Sequence, residues 1–266
     1  MHNAKIYCLC LHNKVLPIIK KLGYVPVGLG NDNFSKEWLR DNTLDNISHK
    51  NKYYSEYSFN YWFWKNILPK MQDNAWVGFC GYREYWGNKK KITKDSKVED
   101  VVLRKIPTEW KNYDTIVGEH LYINNLKFSK LIKRGIWSLI RNPTALFKSK
   151  RNIRFHFDMW HGNGNLDKAI DLLNDNDRED FRKYTRQNVS FSRGCMFVCR
   201  SKKIMNDYYS SLFPWLERCE NIFGFDLKGY GNVRIYGFLA ERYHSYWFNK
   251  YTKALLWPVI FYDITK

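Results

Sequence analysis

The feature that most constrains the fold is a series of short apolar runs, each bounded by glycine or polar residues. Runs of this length are typical of buried strands in a parallel sheet. They are KIYCLCL (5–11), YVPVGLG (24–30), WVGFC (76–80), TIVGEHLYI (115–123) and CMFVC (195–199). Segments with helical periodicity lie between them. The sequence therefore predicts an α/β fold in which a mostly parallel central sheet is flanked by helices.

Four segments have the spacing of helices with one apolar face. They are 52–66, 166–175, 202–223 and 233–251. We expect the third to break near Pro214, because proline removes a helical hydrogen bond. The chain of 266 residues has no internal repeat, and we expect a single domain over 1–266 with 124–154 as an insertion within it.

The overall charge and composition narrow the function classes. A net charge of +18 predicts an anionic partner, either nucleic acid, a phosphate-bearing substrate or a membrane surface. The six cysteines form no paired C-x-x-C motif, which argues against zinc and favours free thiols. A mean hydropathy of −0.57 argues against an integral membrane protein. The first apolar run is too short for a signal peptide, so we expect a cytoplasmic protein.

The insertion at 124–154 has an unusual composition. It contains nine Lys or Arg residues and no acidic residue, with bulky apolar side chains interleaved. This pattern suits a helix that lies in the interface of an anionic membrane. An ordinary surface helix with a solvated basic face has the same pattern, and the sequence leaves both interpretations open.

Polar segments follow the predicted strands where a ligand site is expected. In parallel α/β sheets, ligands bind beyond the carboxyl ends of the strands. The segment DNTLDNISHKN (41–51) carries side chains that pair with sugar hydroxyls or base edges, and Lys50 could meet a phosphate. The alternative is a turn followed by a helix cap. Arg83, just after WVGFC, could bind a diphosphate bidentately, or form a salt bridge with Glu84.

Two further segments carry candidate acid–base residues. In HFDMWHG (156–162), Asp158 and His161 could act as a base or orient a hydroxyl. A metal could also reach both histidines, but their spacing is not diagnostic and favours a structural role over metal ligation. In GFLAER (237–242), Glu241 lies among apolar neighbours and could serve as a general base in a cleft. Its alternative is a salt bridge that locks the helix to the core.

The common catalytic fingerprints are missing from the sequence. It contains neither G-x-x-x-x-G-K-[ST] nor G-x-G-x-x-G, and neither G-x-S-x-G nor H-E-x-x-H. A P-loop kinase, a serine hydrolase of the elbow type and a zinc protease therefore find no support.

Taken together, the segments resemble the bacterial glycosyltransferases of capsular polysaccharide and exopolysaccharide synthesis. Residues 41–66 are similar to that family's D-N-T-G-D-N-I-S-x-K-N and Y-W-I-W-K-N, and GFCGYREYW (78–86) to its G-L-C-H-Y-R-R-Y-F. HFDMWH, CMFVCRSKKIMNDYYSSLFPWL and RIYGFLAERYHSYWF follow in the family's order. The matches extend from about residue 5 to about residue 260.

This resemblance implies a GT-A-like transferase that uses a nucleotide-diphospho-sugar, and its relatives include galactofuranosyltransferases with UDP-sugar donors. It implies an oligosaccharide or lipid-linked saccharide as acceptor, and with a lipid-linked acceptor the segment 124–154 would hold the enzyme at the inner face of the cell membrane. Matching motif positions give the predicted donor-binding residues, to which Lys50 is added: His12, Asp45, Asn46, Ser48, Lys50, Asn51, Tyr82 and Arg83. For an inverting transfer we predict Glu241 as base, with Asp158 and His161 as further catalytic candidates, and Arg242 and Trp160 in acceptor-binding or structural roles.

The sequence departs from the family pattern at three places. The family's H-Y-R-R is here Gly81-Tyr82-Arg83-Glu84, the glycine of D-N-T-G-D is Leu44, and the basic insertion is long. The turn after WVGFC also lacks the D-x-D that binds Mn²⁺ or Mg²⁺ in most GT-A enzymes. Since an arginine can neutralise a leaving diphosphate without a metal, we expect metal-independent donor binding and assign no metal ligands.

Two other function classes remain open at this stage. The charge and the 18% aromatic content would suit a nucleic-acid-binding protein, which would need basic residues and exposed rings on one surface. The aromatic residues fall mostly at core positions of helices, and we therefore expect no nucleic-acid partner. A non-catalytic protein of polysaccharide assembly is the third class.

Overall fold

The computed structural model describes residues 4–90, 93, 96–126 and 128–263. Within them the strands are β1 Lys5–Cys10, β2 Val25–Gly28, β3 Leu39–Arg40, β4 Val77–Gly81, β5 Glu84–Trp86, β6 Thr115–Gly118, β7 His120–Tyr122, β8 Ser190–Ser192, β9 Phe197–Cys199, β10 Ala254–Trp257 and β11 Val259–Phe261.

The helices of the described residues surround these strands. They are α1 Leu16–Leu22, α2 Asn51–Tyr54, α3 Tyr57–Asn66, α4 Val98–Val101, α5 Phe128–Arg141, α6 Ile153–His161, α7 Asn165–Asp171, α8 Asp175–Gln187, α9 Lys202–Phe223, α10 Tyr230–Val233 and α11 Ile235–Tyr251. Short 3-10 helices connect several of them, among others Ser48–Lys50, Pro143–Leu146 and Lys148–Lys150.

The central sheet has the strand order β10-β6-β9-β4-β1-β2-β3, with β5 and β11 attached beside β4. Along this path β9 runs antiparallel to both of its neighbours, and the other pairs are parallel. The predicted α/β fold with a mostly parallel sheet is therefore confirmed. The chain leaves β1 first toward β2 and β3, and later returns to the other side of β1 with β4. The order of strands thus reverses between β1 and β4, where α/β sheets form ligand crevices.

Alternate residues of each strand enter two different cores, one on each face of the sheet. On β1, Tyr7 and Leu9 pack with α3, α9 and α11, whereas Ile6, Cys8 and Cys10 face the other side. The second core is rich in tryptophan, including Trp86 and Trp110. Burial on both faces explains why the strands appear in the sequence as nearly continuous apolar runs.

Three elements differ from their predicted form. The run 115–123 is not one strand, because β6 belongs to the central sheet and β7 pairs with β8 in a separate two-stranded sheet. The predicted helix 52–66 is two helices, α2 and α3, with a break at Ser55. Conversely, α9 continues through Pro214, because Phe213 and Trp215 on either side of the proline are buried in the core and hold the helix in place.

The basic insertion contains the 14-residue helix α5, followed by two 3-10 turns. Leu131, Leu139 and Ala145 are buried with Phe155 and Met159 of α6. Among the residues that the structure describes, no helix has the length and apolar character needed to cross a bilayer.

The close contact between β4 and β9 gives a test of the sheet. A Cβ on Gly78 would lie 2.6 Å from Val198 Cγ2 and 2.7 Å from the carbonyl oxygen of Phe197. The strand backbone cannot yield as a flexible side chain would, so we expect Gly78→Ala to lower the free energy of unfolding by about 3 kcal/mol in urea denaturation. Gly81→Ala in the same strand is the matched control, since nothing lies within 4 Å of its Cβ position. Equal stability of the two variants would contradict this packing.

Candidate active site

A cavity of about 400 Å³ lies beyond the carboxyl end of β4, beside the point where the strand order reverses. The loop after β4, the turn between β8 and β9, and helix α11 supply most of its wall. Its lining includes Ser55, Glu56, Gly81, Arg83, Glu84, Arg193, Gly194, Tyr230, Arg234, Phe238 and Glu241. Carboxylates and guanidinium groups thus meet in one cleft, which is the composition of a site for a charged polar ligand.

Glu241 is fixed in this cavity by two hydrogen bonds. Its Oε1 accepts from the backbone N–H of Gly194 at 2.7 Å, and its Oε2 accepts from Nη1 of Arg242. Gly194 reaches this position because its φ of +63° makes the tight turn that follows β8. The carboxylate is therefore oriented by both the turn and its own helix, while its side chain still lines the cavity.

Arg242 is buried to 2% exposure and surrounded by aromatic rings. Its guanidinium lies 4.2 Å from the centroid of Phe191 and 5.6 Å from that of Phe157. Its Nη2 is 3.3 Å from Nδ1 of His156. Since arginine only donates, His156 accepts at Nδ1 and is the neutral tautomer with the proton on Nε2. Burial, with the charge of Arg242, also lowers the pKa of His156 well below its usual value.

The break between α2 and α3 brings Ser55 and Glu56 to the cavity wall. Ser55 has a φ of +55°, and its Oγ accepts a 2.6 Å hydrogen bond from Nε of Arg234. A Cβ on Gly237 would lie 3.1 Å from this Oγ, so the glycine lets α11 approach the break closely. Arg234 also lies 3.6 Å from Glu56. One arginine at the start of α11 thus fixes the break.

A second carboxylate of the cavity comes from Glu84. It forms an ion pair of 3.2 Å with Arg193, and not with its sequence neighbour Arg83. Burial raises the pKa of Glu84, and the hydrogen bond and charge of Arg193 oppose this effect. Glu84 is therefore a second titratable group that faces the same ligand space as Glu241.

Three predicted donor-binding residues lie together at the carboxyl edge of the sheet. The ring of His12 meets that of Tyr82 edge to face at 5.3 Å, and the guanidinium of Arg83 lies 5.0 Å from the Tyr82 centroid. Arg83 is exposed and lines the cavity. No ion pair of Arg83 is found within the described part of the chain, so its guanidinium is available to a ligand.

A smaller pocket of about 190 Å³ adjoins the main cavity and shares Ser55, Glu56 and Arg234 with it. Asn51 lines this pocket, next to Leu11 and Leu29 at the ends of β1 and β2. Its Nδ2 donates to the carbonyl of Ser55 and to Oγ of Ser58, both at 2.9 Å. Asn51 thus connects the 41–51 segment to the cavity.

The other donor candidates of 41–51 lie in the turn that precedes α2. Oδ1 of Asn46 accepts from the N–H and Oγ of Ser48, and the carbonyl of Asp45 accepts from Asn66. Lys50 forms an ion pair of 2.8 Å with Glu220, and both residues line a separate pocket. These four residues are absent from the lining of the main cavity and of the smaller pocket.

Leu44 shows why a glycine suits this turn. Its φ is +54°, in the left-handed region that glycine adopts without a steric penalty, and its side chain is 73% exposed. The departure at this position therefore leaves the turn conformation intact.

A second large pocket, of about 510 Å³, shares Tyr230 and Phe238 with the main cavity. His156, Trp160, His161 and Arg242 line it. His161 donates from Nδ1 to the carbonyl of Gly231 at 2.8 Å and stacks on Phe238 at 4.0 Å. Burial, together with the charge of Arg242, lowers the pKa of His161 to about 3, and the hydrogen bond to Gly231 opposes this shift.

Asp158 takes a different position from the other two catalytic candidates. Its Oδ1 accepts from the N–H of Gly164 at 2.9 Å in the turn after α6, and burial raises the pKa of its carboxyl. Asp158 does not belong to the lining of either large cavity. The structure thus brings Glu241 and Arg83 together, places His161 and Trp160 in the neighbouring pocket, and separates Asp158 from both.

Sequence reasoning missed Glu56, Glu84, Arg193 and Arg234 as cavity residues. Arg234 is the first residue of the RIYGFLAER motif, and Arg193 belongs to an Arg-Gly pair that predicts a turn before a strand. The sequence therefore contained a pattern that could have pointed to each of these two arginines. Glu56 carried none, because the helical spacing of 52–66 hides the break. No group of three His, Cys, Asp or Glu side chains arranged to hold a metal ion occurs in the described parts of the chain.

Comparison with known proteins shows which family and which solved structure this chain is similar to. Residues 5–253 match a family model described as a domain of unknown function, DUF4422. Over 98% of its length the chain resembles the apo structure of the bifunctional glycosyltransferase WbbM, with a TM-score of 0.63 and 21% identity. The chain spans 45% of the length of that protein. No curated protein matches the chain. The α/β fold is therefore similar to that of a glycosyltransferase, as the sequence predicted.

The lowered pKa of His161 predicts a pH-dependent stability. Below about pH 6.5 the unfolded chain protonates this histidine, whereas the folded protein does so only near pH 3, so stability falls with the pH between these values. From about pH 7 to pH 5 this single group should remove about 2 kcal/mol from the free energy of unfolding.

His161→Gln, which keeps a donor for the Gly231 carbonyl, should reduce the loss between these two pH values by that amount. Urea denaturation at both pH values measures it. The control Phe238→Leu removes the stacked ring without a titratable group, and should lower stability about equally at both. An unchanged pH slope in His161→Gln would contradict the buried neutral imidazole.

Proposed function

The chain belongs to the DUF4422 family, and from that premise we propose that it is a glycosyltransferase of surface or capsular polysaccharide synthesis. It transfers a sugar, with a galactofuranose-type residue as best candidate, from a UDP-sugar to a saccharide acceptor. The observation that carries the proposal is that Glu241 and Arg83 line one cavity at the switch point of a glycosyltransferase-like sheet.

The donor would bind across the main cavity and the smaller pocket beside it. Arg83 is exposed at the cavity wall and offers two parallel N–H donors to a diphosphate. The smaller pocket lies at the ends of β1 and β2, where it could hold the nucleoside against Asn51. His12 and Tyr82 would support Arg83 from the sheet edge. Asp45, Asn46, Ser48 and Lys50 would act indirectly, by shaping the turn that carries Asn51.

Glu241 would act as the general base of an inverting transfer. One oxygen is held by Gly194 and the other by Arg242, so the carboxylate keeps a fixed orientation toward the cavity. It would take the proton of the acceptor hydroxyl as that oxygen attacks the anomeric carbon. The bond from the anomeric carbon to the diphosphate oxygen breaks in the same step, and Arg83 stabilises the charge on the departing nucleotide diphosphate. A bound Mn²⁺ or Mg²⁺ is not part of this proposal.

The acceptor would enter through the pocket of about 510 Å³. Trp160, His161, Tyr230 and Phe238 give it aromatic walls, and the last two connect it to the main cavity. His161 would position an acceptor hydroxyl as a neutral group, since its pKa is about 3. The acceptor class is an oligosaccharide or a lipid-linked saccharide, and the place of action is the cytoplasm.

A nucleic-acid-binding function is disfavoured by the same cavity. Glu56, Glu84 and Glu241 line it beside Arg83, Arg193 and Arg234, so the cavity lacks the excess of positive charge that a polyanion would require. A non-catalytic protein of polysaccharide assembly would keep its function when Glu241 loses its carboxylate, whereas a transferase would lose its activity.

We expect Glu241→Gln to lower sugar transfer by a factor of about 100 or more, because it removes the base. UDP binding, measured by calorimetry, should change by less than about twofold, since Glu241 does not contact the diphosphate in this proposal. Transfer is measured with a panel of UDP-sugars and saccharide acceptors.

Glu84→Gln is the matched control, because it removes another carboxylate of the same cavity. We expect a smaller loss of transfer than in Glu241→Gln. The thermal unfolding of both variants shows whether each remains folded. A larger loss in Glu84→Gln would move the base to Glu84, and full activity of both variants would reject acid–base catalysis in this cavity.

Arg83→Ala should weaken UDP binding by about tenfold or more, and Arg83→Lys should restore only part of it, because lysine lacks the bidentate geometry. Arg104→Ala, at an exposed arginine outside the cavity lining, should leave binding unchanged. Binding and transfer should persist in EDTA. Loss of all activity in EDTA that manganese restores would overturn the metal-independent donor site.

A further inference from the structure

The outer side of α5 and the turns after it present a strongly apolar surface rimmed by cations. We define the α5 surface by Ile132, Ile136, Trp137, Ile140, Leu146 and Phe147. We propose that this surface docks onto an anionic lipid bilayer and inserts Trp137 and Phe147 into the interface. The inference rests on the surface itself and is independent of the proposed transferase activity.

Helix α5 already has its contact with the rest of the fold on its inner side. Leu131 and Leu139 are buried against Phe155 and Met159 of α6. Gly135 allows this close approach, since a Cβ there would lie 2.9 Å from Sδ of Met159. The apolar residues of the α5 surface are therefore not needed to attach the helix to the core.

The outer side chains are instead exposed to solvent. Trp137 and Phe147 are each 70% exposed and Ile140 is 63% exposed. Ile132, Ile136 and Ile140 recur at every fourth position and form one line along the helix. Leu146, at 52% exposure, continues the apolar surface beyond the helix. Large exposed side chains clustered in this way mark an interaction surface rather than the scattered apolar residues of an ordinary surface.

A buried arginine holds the turns of this surface in place. Arg151 is 5% exposed and donates to the carbonyls of Ala145, Leu146 and Leu126 at 3.0 to 3.1 Å. It thereby connects the start of the insertion to the turn that carries Leu146 and Phe147. The apolar side chains are presented by a hydrogen-bonded scaffold, so docking would require little ordering of the chain.

The charges around the surface select an anionic partner. Lys133, Arg141, Lys148 and Lys150 are exposed, and within the described residues none of them forms an ion pair. The sequence has no acidic residue between 124 and 154. Lipid headgroups such as phosphatidylglycerol complement these cations, while the acyl region accepts the apolar side chains.

The combination of apolar and basic side chains disfavours two other occupants. A second copy of the chain would place like charges opposite each other if the same surface paired with itself. Nucleic acid would satisfy the cations but leave the isoleucine side chains in water. The helix of 14 residues is about 21 Å long, shorter than the hydrocarbon core, so it would lie in the interface and not span it.

Vesicle co-sedimentation of the full chain tests the proposal. We expect binding to phosphatidylglycerol-containing vesicles to exceed binding to phosphatidylcholine vesicles by about tenfold or more, and to weaken with salt. The double variant W137S/F147S should reduce binding by about tenfold or more. The matched control I222S/F261S, which removes side chains of 51% and 60% exposure elsewhere, should bind as the unmodified protein does.

A charge variant and a depth measurement separate insertion from adsorption. K133E/K148E/K150E should abolish the preference for anionic vesicles.

Of the eleven tryptophans, Trp137 is the one whose side chain is exposed to solvent. Lipids brominated on their acyl chains should therefore quench tryptophan fluorescence in the unmodified protein and not in Trp137→Phe. Binding without quenching would mean adsorption by charge alone and would overturn the proposal. Unchanged vesicle binding in W137S/F147S, or a loss of self-association in that variant without any effect on vesicles, would overturn it as well.

Discussion

The ion pair between Glu241 and Arg242 is the interaction on which the rest of the structure depends. Helix α11 is buried over most of its circumference, so Arg242 lies inside the protein, whereas the side chain of Glu241 is part-buried at the cavity wall. Removing one partner of a buried pair typically costs about 3 to 5 kcal/mol, because the other charge stays desolvated. Aromatic rings and the neutral imidazole of His156 complete the surroundings of the guanidinium. The fold thus depends on a carboxylate that also faces the cavity.

The wall of the cavity follows from how α11 is held. Glu241 fixes the Gly194 turn and so positions Arg193, which pairs with Glu84. One turn earlier, Gly237 lets the helix approach Ser55, and the break there opens space where a continuous helix would have closed the crevice. The strained conformation of Ser55 is stabilised from outside by Arg234. Strain of this kind is usually found where a protein builds a site.

The sequence was informative wherever a local pattern and the tertiary environment agree. Strands buried on both faces appear as apolar runs, so β1 and β4 and the crevice between them could be predicted, and with them the position of Arg83. The choice of Glu241, which lies on α11, came from the family resemblance and not from the strand pattern. The break at Ser55 could not, because its cause is a hydrogen bond from Arg234, 179 residues away. The same holds for Lys50, whose partner Glu220 is 170 residues distant and draws it away from the crevice. Long-range contacts of this kind override the local periodicity of the sequence, and that periodicity does not reveal them.

Some cationic side chains of the protein form ion pairs and others do not. The unpaired ones lie in two separate places, one for each of the proposed anionic partners. In the cavity, Arg193 and Arg234 are paired with carboxylates, which leaves Arg83 to meet a ligand phosphate. A site with one unpaired guanidinium suits a small anionic ligand, because such a ligand must be able to leave the site after the reaction. On the α5 surface several cations remain unpaired beside exposed apolar side chains, which suits an extended anionic surface held by many weak contacts. Under both proposals, a net charge of +18 reflects these two separate demands rather than a single binding site.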